Sequence, residues 1–318
     1  MSRRNLLCGL LLIAFVLAGR HGVRLDAVQP PRTVPPKTSS VPIYPRSIKD
    51  ARGKSLTLLH PPQRIVSLTP SNTEILFALQ LGKKVVGVTE ACDFPAEAKQ
   101  KPKIGGFQIN IERVLVQSPD LIVAVEGLNA RAIEALERVK APVLVVSTKS
   151  IADTLQAVRT IGAATGTDII ANRIASDMQS SLNNILKVQS SLRWKPKILM
   201  LYSVNPIYTT GPGSYIDEII KIAGGRNAVD KPLSGDKLSA EQVLVLRPDV
   251  IITGKETQPQ AEQMPGWAQG VPAVAKKRFF HASDDAILVR PCPRLPKGVK
   301  ELANYLRKVV DSEPNHKP

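Results

Sequence analysis

Residues 288–295, Leu-Val-Arg-Pro-Cys-Pro-Arg-Leu, set a thiol between two prolines and that unit between two arginines. Proline fixes the backbone and guanidinium groups grip anions, so the segment is built to hold something still. A second feature occurs twice. Glu112 follows Asn110 and Glu241 follows Ser239, each two residues after a side chain able to cap a helix. A carboxylate in a first helical turn offsets the helix dipole by about 0.3–1 kcal/mol. One matched carboxylate in each half of a chain also makes a two-point electrostatic grip for a partner with two cationic sites. Both readings stand at this level.

The match runs past the glutamates. INIERVLVQSPDLIVAV (109–125) aligns without a gap to LSAEQVLVLRPDVIITG (238–254), pairing Val114 with Val243, Val116 with Val245 and Pro119-Asp120 with Pro248-Asp249. Each copy reads as a short helix, a Pro-Asp turn and a strand. Catalytic chemistry finds no such pattern. There is no Gly-Lys-Ser/Thr nucleotide loop and no Gly-x-Ser-x-Gly elbow, and the 4 histidines are scattered at positions 21, 60, 281 and 316. Neither an enzyme nor a bound metal is expected.

The elements that must position these residues are α/β in pattern. RIVSL, KVVGVTE, LIVAVE and VLVVS are apolar runs of the fully buried kind, and KILMLY, VIITG and RFFHA repeat the pattern after residue 195. SNTEILFALQLG reads as a helix with Ser71 and Glu74 as a capping box and Gly82 as its terminator. From Thr167 to Arg193 there is neither Gly nor Pro, and Ile170, Ile174, Met178, Leu182, Ile185 and Leu192 keep to one helical stripe. Such a helix reaches about 40 Å and, with one repeat copy on each side, reads as a rigid strut between two α/β lobes.

Composition bounds the rest. The chain has 318 residues with 43% hydrophobic content, enough for real cores. Its net charge of +16 raises nucleic acid as a partner, but the basic residues are scattered and aromatics are only 4%, so none is expected. Arg3-Arg4, the apolar run Leu6–Ala18 and Val16-Leu17-Ala18 before Gly19 have the form of a secretory signal, either cleaved or kept as a tether. Cys8 lies too early in that run for a lipid-bearing cysteine. The chain is expected outside the cytoplasm, periplasmic or otherwise, soluble or tethered, with Cys92 and Cys292 as its cysteine pair. The expected segments are a signal at 1–18, a Pro-rich tether at 19–45, an N-terminal lobe at 46–165 led by a hairpin over 46–58, a linking helix at 166–194, a C-terminal lobe at 195–312 and a tail at 313–318.

RIVSLTPSNTEILFALQLG, VVGVTEACDFP, the two glutamate units, GPGSYIDEIIKIAGG and RPCPRL together resemble the iron-siderophore, haem and cobalamin class of periplasmic binding proteins, the substrate receptors of ABC importers. The resemblance runs from about Ile43 to Val310. It implies two α/β lobes joined by one long helix, a ligand cleft between them, and a monomer that docks on an ABC permease dimer. It implies that Glu112 and Glu241 are the two docking carboxylates. The ligand implied is a metal-chelate small molecule with no resident cofactor: a corrinoid first, with a ferric siderophore or haem as alternatives.

Ligand residues sit on loops beyond the carboxyl ends of strands, which nominates Ser71, Asn72, Cys92, Asp93, Tyr202, Asp284 and Arg290, and the resemblance adds Phe107 as a stand-in for a missing aromatic platform. Where cobalamin receptors place aromatic platforms this chain has Ala91, Gly106 and Val125, with Phe107 beside the second. Tyr202, Tyr208 and His281 are the candidate axial ligands for haem. Cys92 and Cys292 either touch the ligand, bridge the lobes, or pack apart unpaired. A cell-surface sensor or adhesin with no transport role is the rival of another class.

Overall fold

The computed structural model describes residues 43–313, so the expected signal, most of the tether and the tail beyond Glu313 lie outside the described residues. Strands β1 (Arg46–Lys49) and β2 (Ser55–Leu58) form the expected antiparallel hairpin. Its turn is made by Asp50, which accepts the backbone N–H groups of Arg52 and Lys54 at 2.9 Å each, and by Gly53 at a φ of 82°. An Asx-type turn followed by a left-handed glycine is what DARG chemistry favours.

The first sheet contains β3 (Ile65–Ser67), β4 (Val85–Val88), β5 (Leu121–Val125) and β6 (Val143–Val146), all parallel in the order β4-β3-β5-β6. Around it lie α1 (Pro70–Ala78), α2 (Ile111–Val116), α3 (Ala130–Arg138) and α4 (Ile151–Thr165). Next comes α5 (Asp168–Gln189), 22 residues and so about 33 Å long. It stops short of the expected Arg193, with Ser190 as its C-cap.

The second half contains β7 (Lys197–Leu201), β8 (Ser203–Val204), β9 (Ile207–Tyr208), α6 (Tyr215–Ile222), β10 (Arg226–Asn227) and β11 (Lys237–Leu238). After these come α7 (Ala240–Leu246), β12 (Val250–Thr253), α8 (Gln258–Glu262), α9 (Trp267–Gly270), α10 (Pro272–Ala275), β13 (Phe279–Phe280) and α11 (Leu295–Asp311). Its parallel sheet runs β10-β7-β12-β13. Numbered within each half, both sheets have the order second, first, third, fourth. The second half adds a small antiparallel sheet, β11-β9-β8, directly after β7.

The repeat seen in the sequence is a repeat of hydrogen bonds. Asp120 accepts the backbone N–H groups of Gln63 (2.7 Å) and Arg64 (2.8 Å), and its own N–H donates to Arg64 O (3.0 Å). Asp249 accepts the N–H of Lys197 (2.8 Å) and donates to Lys197 O (2.8 Å). Each Pro-Asp turn therefore clamps the entry of its lobe's first strand. The helices before the turns end alike, with Ser118 at φ 48° and Arg247 at φ 47°.

Alternate residues of the strands feed different cores. Val66, Ile122, Ala124 and Val145 pack beneath α2 and α3 with Val114 and Ile133, and Leu199, Leu201, Ile251 and Phe279 pack with Val243 and Trp267. The opposite faces of both sheets, with Ile65, Val123, Leu144, Ile198, Val250 and Ile252, join one core that also takes in α4, α5 and α11. The long helix is therefore one layer of a shared core rather than a free strut. Its Ala171 lies so close to Gly162 of α4 that a Cβ at Gly162 would overlap it. Among the described residues no helix is long and apolar enough to cross a membrane.

Candidate functional site

In a parallel sheet of this order, neighbouring connections leave in opposite directions where the first and third strands meet, and a crevice opens at their carboxyl ends. In the first lobe that point is held by Asn129. Its Oδ1 accepts the N–H of Val125 (2.9 Å) and its Nδ2 donates to Leu68 O (3.3 Å). In the second lobe Thr253 Oγ1 donates to Leu201 O at 2.8 Å and does the same work.

Above the first of these points is a recess of about 590 Å³ lined by Phe107, Ile109, Ile111, Leu128, Asn129 and Arg131 among others. Phe107 is 95% exposed and Leu128 62%, so its walls are apolar and open to solvent. A larger recess of about 780 Å³ runs down α1 past Phe77 to Gly82 and Lys83. Its far end lies at the amino end of β4, while Glu74, Phe94, Pro293 and Arg294, at the contact between the lobes, line its other end.

At the carboxyl end of β7 stand Tyr202, 44% exposed, and Tyr208, 37% exposed, with Lys237 Nζ 5.3 Å from the centre of the Tyr208 ring. Burial, with Asp236 adding to it, pushes the Tyr202 phenol up to about 12. His281 has both ring nitrogens engaged, Nδ1 with Thr253 O (2.8 Å) and Nε2 with Gln258 Oε1 (2.5 Å). The expectation of His281 as an axial haem ligand is therefore not met in this conformation. Trp267 is fully buried in the second lobe's core.

The RPCPRL segment turns inward. Arg294 Nε donates to Glu74 Oε2 and its Nη2 to Glu74 Oε1, both at 2.7 Å, and its Nη1 pairs with Asp284. Arg294 also lies over the Phe94 ring, 3.7 Å from the centroid. Arg290 pairs with Asp93, donates to Ala91 O (3.3 Å) and reaches Glu74 Oε1 at 3.5 Å. One carboxylate on α1 and two arginines before and at the start of α11 thus pin one lobe to the other. The hydrogen bond from Arg290 holds the Asp93 carboxyl below its usual range. At Asp284, burial acts upward, but the Arg294 guanidinium and the Ala286 N–H outweigh it and lower the carboxyl.

Several expectations are corrected here. The cap of α1 is Thr69, whose Oγ1 accepts the Asn72 N–H at 3.3 Å. Glu74 therefore is not a capping-box partner for Ser71; it answers Arg294. The helix ends at Ala78, with Gln80 at φ 64°, so Gly82 is not its terminator. Ser71 and Asn72 are buried, Ser71 beside Thr69 Oγ1 at 3.1 Å, whereas Oδ1 and Nδ2 of Asn72 have no hydrogen-bond partner among the described residues. Asp93 and Arg290, both nominated for ligand, contact each other.

Of the three alternatives for the thiols, the structure agrees with the last, two buried and unpaired cysteines. Cys92 is 1% exposed, with Sγ 3.1 Å from Thr73 Oγ1 and 3.1 Å from Thr89 Oγ1, and Cys292 is 0% exposed. Both are free. Burial, then the Glu74 carboxylate, pushes the Cys292 thiol well up. They neither line an open cleft nor bridge the lobes.

The two repeated glutamates stand on matched ground. Glu112 is exposed in the first turn of α2, whose cap Asn110 accepts the Arg113 N–H at 2.9 Å. Glu241 is exposed in the first turn of α7, where Ser239 and Gln242 form a full capping box. A hydrogen bond from Ser239 and the local backbone N–H lower the Glu241 carboxyl.

Comparison with known proteins agrees with this architecture. Residues 65–286 match the periplasmic binding protein family. An uncharacterised ABC transporter substrate-binding lipoprotein of Bacillus subtilis (strain 168), YvrC, is 32% identical over 313 residues, covering 96% of this chain and 97% of its own. The crystal structure of the periplasmic vitamin B12 binding protein BtuF of Vibrio cholerae superposes with a TM-score of 0.70 at 28% identity, covering 78% of this chain and 98% of that one. The periplasmic heme-binding protein RhuT from Roseiflexus sp. RS-1, in apo form, gives 0.69 at 26% identity over 78% and 99%.

Proposed function

Since the chain belongs to the periplasmic binding protein family and is the substrate-binding component of an ABC transporter, we propose that it delivers a corrinoid to its permease from outside the cytoplasm. The observation that carries this reading is the exposed aromatic and apolar surface at the strand ends: Phe107 and Leu128 on one lobe, Tyr202 and Tyr208 on the other. A large flat ring system needs faces to rest on, and a phenyl ring 95% exposed to water has no intramolecular reason to be there. The likeness to vitamin B12-binding relatives supports the same choice.

Haem is the second reading, supported by the likeness to a heme-binding neighbour. Two features weigh against it. A tyrosinate ligand is disfavoured by a phenol raised to about 12, and both nitrogens of His281 are already engaged. A ferric siderophore would draw instead on Arg131 at the Phe107 recess. Arg290 and Asp93 become ligand contacts only by giving up each other. Glu112 and Glu241 are proposed as the carboxylates that meet cations of the permease dimer, one on each lobe, with the binding protein acting as a monomer.

The test is a thermal-shift and fluorescence-quenching screen with cyanocobalamin, cobinamide, hemin and a panel of ferric siderophores. A corrinoid should raise the melting temperature with the logarithm of ligand excess, and Phe107→Ala should weaken binding. Stabilisation by hemin or a siderophore and not by either corrinoid would replace the corrinoid reading.

A further inference from the structure

Each exposed glutamate has a companion. Four residues on from Glu112 is Val116, 76% exposed; four residues on from Glu241 is Val245, 80% exposed. Side chains four apart share one face of a helix, so each lobe presents a carboxylate and an isopropyl group side by side. Single exposed apolar residues are ordinary on protein surfaces. Here the same residue type occupies the same position in both repeats, one helical turn from the same acid.

Nothing within the fold calls for valine at either place. Valine is a weaker helix former than alanine or the long polar residues Arg, Lys, Gln and Glu. The inward anchors of these helices are Val114 and Val243, each 0% exposed. The helices are capped at their starts and closed by left-handed residues at their ends, and the Asp120 and Asp249 clamps fix the turns behind them. The two faces are thus rigid and built alike.

We propose that Val116 and Val245 are the apolar half of the permease-docking surface. This rests on the docking reading of Glu112 and Glu241. The occupant is one partner that repeats itself: a permease dimer presenting, in each half, a cation for the glutamate and a dry socket for the valine. A duplicated acid-plus-valine face matches a two-fold partner, and the negative charges of the faces stand out on a chain of net charge +16. The glutamates steer and orient, while the valines exclude water from the contact.

The experiment measures binding of the full chain to its cognate permease–ATPase complex in lipid nanodiscs, at low and high salt. The variants are Val116→Ser with Val245→Ser, and separately Glu112→Gln with Glu241→Gln. Both valines lie on the surface, so melting temperature and ligand affinity should stay at wild-type values. The double serine variant should bind about 10- to 100-fold more weakly, by the same factor at both salt concentrations. Wild-type affinity in that variant would overturn the proposal. The double glutamine variant should lose most of its affinity at low salt; if it loses none while the serine variant does, the charge reading of the glutamates fails and the valine contact stands.

Discussion

Glu74 and Arg294, 220 residues apart in sequence, meet through two parallel hydrogen bonds of 2.7 Å, with the carboxylate side chain only 2% exposed. The pair joins the first helix of one lobe to the last helix of the other. A buried ion pair contributes little when compared with a well-packed apolar pair, but removing one partner strands a charge. Glu74→Ala should therefore destabilise the protein by roughly 3–5 kcal/mol, because Arg294 and Arg290 both lose their buried partner. Urea denaturation would measure this, and a double-mutant cycle with Arg294→Ala should show strong coupling. Near-additive losses would mean the link does not act as a pair.

Neither thiol should react in the native state. In a Cys8→Ser background, Ellman's reagent should find about no free thiol in the folded protein, because Cys92 and Cys292 are buried and the Cys292 thiol is raised further from ionisation. Both should titrate in denaturant, under oxidising conditions, with or without ligand. Loss of both after oxidation would reveal a bridge that this conformation lacks.

How far the sequence carried these conclusions depended on the range of each interaction. The six longer parallel strands were legible because a strand buried on both faces, such as LIVAV or VIIT, must be an unbroken apolar run. The glutamate faces were legible because a repeat can be read by alignment alone. The cross-lobe link was not. Glu74 offered a plausible local partner in Ser71, and its true partners lie after the fourth strand of the other lobe. One signal was available: two arginines flanking a Pro-Cys-Pro unit needed a buried acid, and Glu74 is the acid inside an apolar helix. The two-residue strands β8, β9 and β11 carry too short a pattern to be read at all.

Docking and ligand binding should separate. Glu112→Ala with Glu241→Ala should leave ligand affinity unchanged, since both carboxylates are exposed on short outer helices. Uptake of labelled ligand by cells should fall by about tenfold or more, as loss of two charge contacts predicts. Transport at the wild-type rate would refute the docking role.

Acid should loosen the C-terminal end in a defined window. Lys276, then Arg278, lower the Glu313 carboxyl from 4.5 to about 2. A depressed folded pKa adds stability that is fully present above the unfolded value and fades as pH falls through the folded one. Wild type should exceed Glu313→Gln by about 1 kcal/mol at pH 6, given partial solvent screening. The gap should narrow from pH 4.5 downward and close near pH 2. Urea midpoints across that range would check it; a gap independent of pH would assign the effect to packing instead.

The small sheet of β8, β9 and β11 has no counterpart in the first lobe. On the proposed reading, the duplication that would offer a two-fold permease two like handles does not offer a ligand two like jaws. Substitutions around Tyr208 and Lys237 would then retune what is held without touching either handle, leaving cargo and carrier free to diverge at different rates.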